Sequence, residues 1–434
     1  MKLKLGLVLP LLLGVHLASA ATIVVTSNSG AHNVLGSCVL RDAITQANSG
    51  IATGGCGTIA ASPAHPAPPD CLCTNNTIVL PTAATITLTE LDDAANNTGL
   101  PAINASLVIT GNGSTIQRDP MRICNRDGAT DPGEFALIRN DSSLLVLDHL
   151  TLSNGCADSA DYQKAKGGAI SNFGALVLQN VVLSGNYASN RGGALYSSGY
   201  GNGAGANNLS RTILVSNASQ SGGGVFIEGS SASLSISASL FVQNSASPYF
   251  GGGGLSVGQG STASVENSTF SQNSAGAASA IAAEGSVAIG NSTFAENTAA
   301  SGNGAAVQIS ASGTGQLLTL KNSLFDANSG GAGNCQFGAG QVMLSGANLS
   351  SDASCAGFTL NNIDPKLSAL ADPGGPTQTY ALQPGSPAVD AVVDCTDTNG
   401  LPLPFDQRGT ARPQGAACDI GAFELDDKIF SDGF

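Results

Sequence analysis

The residues best suited to acid–base chemistry gather in one short stretch of this chain. Arg118, Asp119, Arg122, Asp141, Asp148 and His149 fall together before the midpoint of 434 residues. A carboxylate or imidazole beside a guanidinium can move a proton and steady developing charge, as cleavage of a glycosidic bond requires. Beyond them the supply ends. From Tyr162 to Phe325 there is no Asp and no His, and the carboxylates are Glu228, Glu266, Glu284 and Glu296. Glycoside hydrolysis needs two carboxylates facing across one groove, and Ca²⁺-assisted proton abstraction needs a carboxylate cage plus a base. Isolated glutamates supply neither, so they are expected to face solvent, and no catalytic residue is expected. If the chain is an enzyme after all, its candidates are Arg118, Arg122, Asp141, Asp148 and His149. No CxxC pair occurs and no His follows His149, which argues against zinc. The string GGAGNCQFG lacks the Asp of a Ca²⁺-binding nonapeptide, so no metal and no cofactor are expected.

These residues sit at the front of a repeat. Seven copies of one phrase start at Leu147, Leu178, Leu209, Ile236, Val265, Ile289 and Leu320. The sixth residue of each is large and apolar: Leu152, Leu183, Leu214, Phe241, Phe270, Phe294, Phe325. Three residues later comes Asn186, Asn217, Asn244, Asn273, Asn297 and Asn328 in six copies; the first has Asn154 one place early. Glycine pairs recur between phrases at Gly167, Gly192, Gly222 and Gly252. A period of this size means a solenoid, propeller or array. Short β runs punctuated by Gly, Asn and Ser leave no room for a helix in each unit. The pattern predicts an all-β, single-stranded parallel β-helix, expected to be right-handed from the crossover rule and not from the repeat itself. Equivalent Leu and Phe should stack as an inner column, and equivalent Asn should form a ladder of amide hydrogen bonds. Asp148 and His149 then occupy phrase positions that elsewhere hold Gln, Ser, Asn and Arg, which reads as surface variation.

Composition agrees. Charged residues are 11% and aromatics 5%, with a net charge of −14. An acidic chain is a poor partner for nucleic acid or anionic membrane. So few rings also argue against a dedicated carbohydrate-binding groove. Residues 1–20 read as a signal peptide, with Lys2 and Lys4, an apolar core, and Ala18-Ser19-Ala20 before the cut. No other stretch is long enough to span a bilayer. Export permits disulfides. Cys335–Cys355, Cys395–Cys418 and Cys124–Cys156 are the expected pairs. Cys38, Cys56, Cys71 and Cys73 allow three pairings, and the strain of joining Cys71 to Cys73 leaves two.

From Cys38 to Asn48 the apolar residues Leu40, Ala43, Ile44 and Ala47 keep a helical spacing. A short helix there can cap the open end of a solenoid. The run Cys38-Val39-Leu40-Arg41-Asp42-Ala43 resembles the CSLREA domain of exported bacterial β-helix proteins, with Val39 in place of Ser and Asp42 in place of Glu. The strings DQRG at Asp406, RPQG at Arg412 and CDIGAFE at Cys418 resemble a C-terminal choice-of-anchor Q region. That resemblance implies association with surface anchors and lends no catalytic residue. The repeats are similar to those of polymorphic outer-membrane proteins, within a pectin-lyase-like fold, and the family resemblance likewise implies the right hand. The last six residues resemble tails of exported Gram-negative proteins. The expected domains are a signal peptide at 1–20, a CSLREA-like cap with a Pro/Cys loop at 21–75, the β-helix at 76–334, a choice-of-anchor-Q-like region at 335–425 closed by Cys395 and Cys418, and a tail at 426–434. The expected function is a non-enzymatic secreted or cell-surface protein, adhesin-like or a matrix scaffold. The alternative is a polysaccharide lyase or glycoside hydrolase. A monomer is expected, with a surface or glycan ligand.

Overall fold

The computed structural model describes residues 21–32, 34–51, 53–59, 76–200, 205–247, 251–300, 305–309, 316–337 and 341–426. The signal-peptide reading, the tail, Cys71 and Cys73 lie outside them. The architecture is a parallel β-helix. A representative coil contributes four short strands, Ala175–Gln179, Val182–Ser184, Tyr187–Arg191 and Leu195–Ser198. Each strand pairs in parallel with its counterpart one coil away, so phrase meets phrase in register. Leu178, Leu209, Ile236, Val265, Ile289 and Leu320 form one such row.

The row Leu183, Leu214, Phe241, Phe270, Phe294, Phe325 runs along the interior. The four Phe rings are fully buried and stack with centroids 4.4, 5.0 and 4.8 Å apart. Coil spacing, about 4.8 Å, sets that distance. The expected Asn ladder also forms. Each Nδ2 from Asn186 through Asn297 donates to Oδ1 of the next ladder Asn at 2.8–3.0 Å. Each ladder Asn also donates to a main-chain carbonyl of an adjoining coil, as Asn244 does to Leu214 O at 2.9 Å. Every rung is thus a buried amide with its hydrogen bonds made. Asn328 continues to Asn334, a rung outside the phrase pattern. Asn154 is no rung, because Gly155 N occupies the position that donates to Asn186 Oδ1.

Left-handed corners turn the chain within each phrase and at the glycine pairs. One falls on the third residue of each phrase: His149, Asn180, Arg211, Ala238, Asn267, Asn291 and Asn322, with φ of 46–52°. At the glycine pairs the two members have separate reasons. Gly192 has φ of 64°, whereas a Cβ on Gly193 would meet Gly223 O at 2.2 Å.

Helix α1 spans Leu40–Ser49 and lays Leu40, Ala43, Ile44 and Ala47 on the first coils, all buried. Cys38 pairs with Cys56. This corrects the sequence expectation, which left only pairings of Cys38 with Cys71 or Cys73: the loop after α1 folds back on the helix start and brings the two Cα atoms within 4.3 Å. The other three expected disulfides form.

Coil stacking continues past residue 334. Cys335–Phe337, Gln341–Ser345 and Leu349–Ser350 extend the existing sheets, and Leu360–Asn361 adds to the last. Phe358 closes this end against Phe325. The chain from about residue 362 onward forms a lobe on the solenoid's flank, around Leu324, Leu349, Val392, Ile420 and Phe423. Cys395–Cys418 therefore fastens the lobe, and does not close the last coil.

Candidate functional site

The candidates from the sequence separate into three unconnected groups. Strand register sets Asp148 beside Thr110 but Ser153 beside Gln117, so Arg118 lies at a different corner from His149. Arg118 is buried, and its guanidinium donates to Asn154 O, Gly133 O and Arg122 O at 2.8, 3.1 and 3.0 Å. Burial holds it below its ordinary pKa while Glu134 opposes the shift. It pins the 119–135 loop, which Cys124–Cys156 also ties down. Arg122 lies 3.9 Å from Asp119 on the surface. Asp141 pairs with Arg139 at 2.7 Å. Asp148 accepts from Asn180 and touches the exposed His149 at 2.7 Å. Because His149 is the left-handed corner residue of its coil, its ring points from a turn, away from any groove shared with Arg118.

A different cluster comes together where no single motif marks it. Lys166 precedes a glycine corner, Arg191 bridges to it from the next coil, and Tyr196 and Phe226 are neighbours in one outward row. Glu228 completes the set. Lys166 is buried, and its ammonium reaches Gln163 Oε1 and Tyr196 Oη at 3.3 Å each, with Glu228 Oε1 at 3.6 Å. It also lies 4.0 Å over the Tyr162 ring and 4.5 Å over that of Tyr196. Arg191 Nη1 pairs with Glu228, its guanidinium 4.6 Å over Phe226, and the Tyr196 hydroxyl donates to Glu228. One coil-step away Arg139 lies 4.2 Å over Phe173, and Phe173 meets Tyr196 edge-on at 5.9 Å. Burial lowers the Lys166 pKa and Glu228 partly restores it; burial and the Glu228 contact raise that of Tyr196. So Glu228 is a central counter-ion, not the solvent-facing residue its isolation suggests.

No family model matches this chain, and no curated protein matches it.

The third concentration of charge fastens the C-terminal lobe. Arg412 is fully buried, donating to Glu424 Oε2 and Asp419 O at 2.9 Å and to Gly421 O at 2.6 Å. Asp406 accepts from the backbone N–H of Arg408 and Thr410, and Arg408 stacks 3.7 Å over Phe423. Burial raises the Asp419 pKa to about 7. Gln407 reaches the solenoid, accepting from Thr269 Oγ1 at 2.6 Å. Corner residues answer it: Asn267, Asn291 and Asn322 donate to Phe405 O, Thr396 O and Asp394 O. Glu266, also expected to face solvent, accepts from Thr398 N and Oγ1 at 2.9 and 2.6 Å, and burial raises its pKa. Glu284 and Glu296 are exposed.

Sequence reasoning missed Lys166, Arg191, Tyr196, Phe226 and Glu228 because only coil stacking makes them neighbours. The usable signal was phase. Lys166 and Arg191 precede successive glycine pairs by the same one position, and Tyr196 and Phe226 follow theirs equally. Low as the aromatic content is, the fold gathers Tyr162, Phe173, Tyr196 and Phe226 around one face.

Proposed function

We propose that the protein is a non-enzymatic, exported or cell-surface β-helix scaffold, adhesin-like in its mode of action. The observation that carries this reading is how the buried cations are used. Arg118, Lys166 and Arg412 each direct their donors onto the protein itself and hold a loop or lobe in place. A lysine held by three acceptors and two rings has no path to a sugar carbon. Four disulfides among the described residues suit an oxidising compartment. Among those residues no helix is long and apolar enough to cross a membrane. The resemblances of the cap to CSLREA domains and of the C-terminal strings to choice-of-anchor Q regions favour the same assignment. The motif residues Arg41, Asp406, Arg408 and Arg412 serve cap and lobe attachment.

The second reading, a polysaccharide lyase, draws on the proximity of Lys166, Tyr196 and Glu228. The two are separated by incubating purified protein with pectate, alginate and other polyuronates, with and without Ca²⁺, and following unsaturated products and reducing ends. We expect no turnover. Turnover abolished by Lys166→Ala or His149→Ala in a folded protein would replace the scaffold with the enzyme.

A further inference from the structure

We propose that the face carrying Arg139, Tyr162, Phe173 and Arg191 binds an anionic glycan strand lying along the solenoid axis. Held and not cut, that strand presupposes the non-enzymatic function proposed above. The outward row that starts Arg139, Ser171, Tyr196, Phe226 continues as Ser256, Ala282, Gln308 and Gln336. Arg139 and two rings thus occupy its first coils, with Lys166 and Arg191 paired in the adjoining row, and then the rings stop. The interior does not need them, because Ile170, Leu195 and Val225 fill the core behind this row. Tyr196 and Phe226 are themselves buried and back the arginines. The exposed ring is Tyr162, with the Arg191 guanidinium 5.6 Å from its centroid. Aromatic rings beside arginines are frequent anchors of recognition.

The local charge also runs against the chain as a whole. Within a net charge of −14, the ion pairs that Arg139, Lys166 and Arg191 make among the described residues are with Asp141 and Glu228. Arg139 donates through Nε to Asp141 and Arg191 through Nη1 to Glu228. Their remaining N–H groups have no protein partner among the described residues, and the two side chains are 21% and 31% exposed. Each guanidinium lies over a ring, 4.2 Å from the Phe173 centroid and 4.6 Å from that of Phe226, so its planar fork is held before a carboxylate or sulfate arrives. Tyr162 is 43% exposed and offers an aromatic surface for a sugar ring. Beneath it the Lys166 ammonium adds positive potential in a poorly hydrated setting.

The spacing fits a polymer. Arg139 and Arg191 lie two coils apart, about 10 Å along the axis. In an extended two-fold glycan, acidic groups on one side recur every second sugar, a comparable length. Uronate carboxylates and sulfate esters share the required chemistry.

The test measures binding of the full chain to an oligogalacturonate, to a sulfated galactan oligomer, and to a neutral galactan oligomer of equal length. At least one anionic oligomer should bind in a salt-sensitive manner, the neutral one at least about tenfold more weakly. Arg139→Gln and Arg191→Gln should each weaken binding about tenfold, as loss of a charge-assisted hydrogen bond implies. Arg191→Lys should restore little, since it returns the charge without the fork. Arg211→Gln, at an exposed corner on another face, should bind like the parent. Thermal melts of each variant separate lost binding from lost folding, and Arg139→Gln provides an independent reading if Arg191→Gln unfolds. Absence of binding to both anionic oligomers, equal binding of the neutral one, or full binding by a folded Arg139→Gln/Arg191→Gln double variant would overturn the site. Cleavage of a bound oligomer would instead remove the scaffold function and leave the site standing.

Discussion

The central coils and the C-terminal lobe solve the same problem by opposite means. Between Leu209 and Asn328 each coil is held by copies of itself, Phe on Phe and Asn on Asn. The lobe has no copies. It is held by contacts that occur once, with Arg412 among Glu424, Asp419 and Gly421, and Gln407 on Thr269. Repetition distributes stability, so damage in one coil is felt by its neighbours. Unique contacts concentrate it, so damage stays local.

Removing a ring from the interior column tests the distributed half most severely. Phe270→Ala should cost about 3–5 kcal/mol, with loss of protection spreading into the coils of Phe241 and Phe294. Hydrogen exchange confined to one coil would contradict a shared column. In the lobe, Arg412→Ala leaves Glu424 buried without its partner and should cost about 3 kcal/mol. Here exchange should rise across 362–425 while the Asn rungs stay protected. Global unfolding in its place would erase the distinction between the two regions. A smaller effect is expected at one rung. Asn244→Ala strands the backbone N–H of Asn217 and an amide proton of the same residue, costing about 2 kcal/mol by denaturant titration.

The finest discrimination comes from pH. Asp419 titrates near 7 in the folded lobe but near 4 when exposed, so folding favours its protonated form. Its stabilising proton is fully present below about 4 and is lost as pH rises through about 7. Lobe docking should therefore tighten from pH 8 to pH 6, and Asp419→Asn should flatten that slope. The exchange of the central coils should not follow it. Tighter docking at pH 8 would reverse the assigned direction.

How much of this is legible in the sequence follows the same division. The inner column, the ladder and the glycine corners can be read because periodic burial repeats periodic letters. Helix α1 is legible from Leu40, Ala43, Ile44 and Ala47 for a related reason, an amphipathic face of helical period. Asn334 escapes because it continues the ladder without the phrase. Lys166 and Glu228 escape because their proximity depends on how loops of unequal length settle between coils. The lobe strings are visible as strings, yet nothing in them says that Arg412 points at Glu424 or that Gln407 grips a coil. The Cys38–Cys56 pair was lost to a strain argument about Cys71 and Cys73 that ignored where α1 would send the chain.

The ladder has a direction. Every rung gives its amide proton toward the C-terminal end, beginning at the Gly155 N–H and finishing where Asn334 meets the hydroxyls of Ser350 and Ser351. Aligned in this way the amides polarise one another, and the row needs one specialised starter and one specialised stop. As ladder rungs, those between the two are interchangeable. As far as the ladder alone is concerned, a whole coil, such as the stretch from Val265 to the residue before its partner Ile289, can be duplicated with the row of donors and acceptors resealing behind it. Excising this one would also remove the lobe anchors Glu266, Asn267 and Thr269. A fractional coil cannot, since it would set an apolar residue against an amide. The natural unit by which such a molecule lengthens or shortens is therefore the turn of the solenoid, and its reach is quantised.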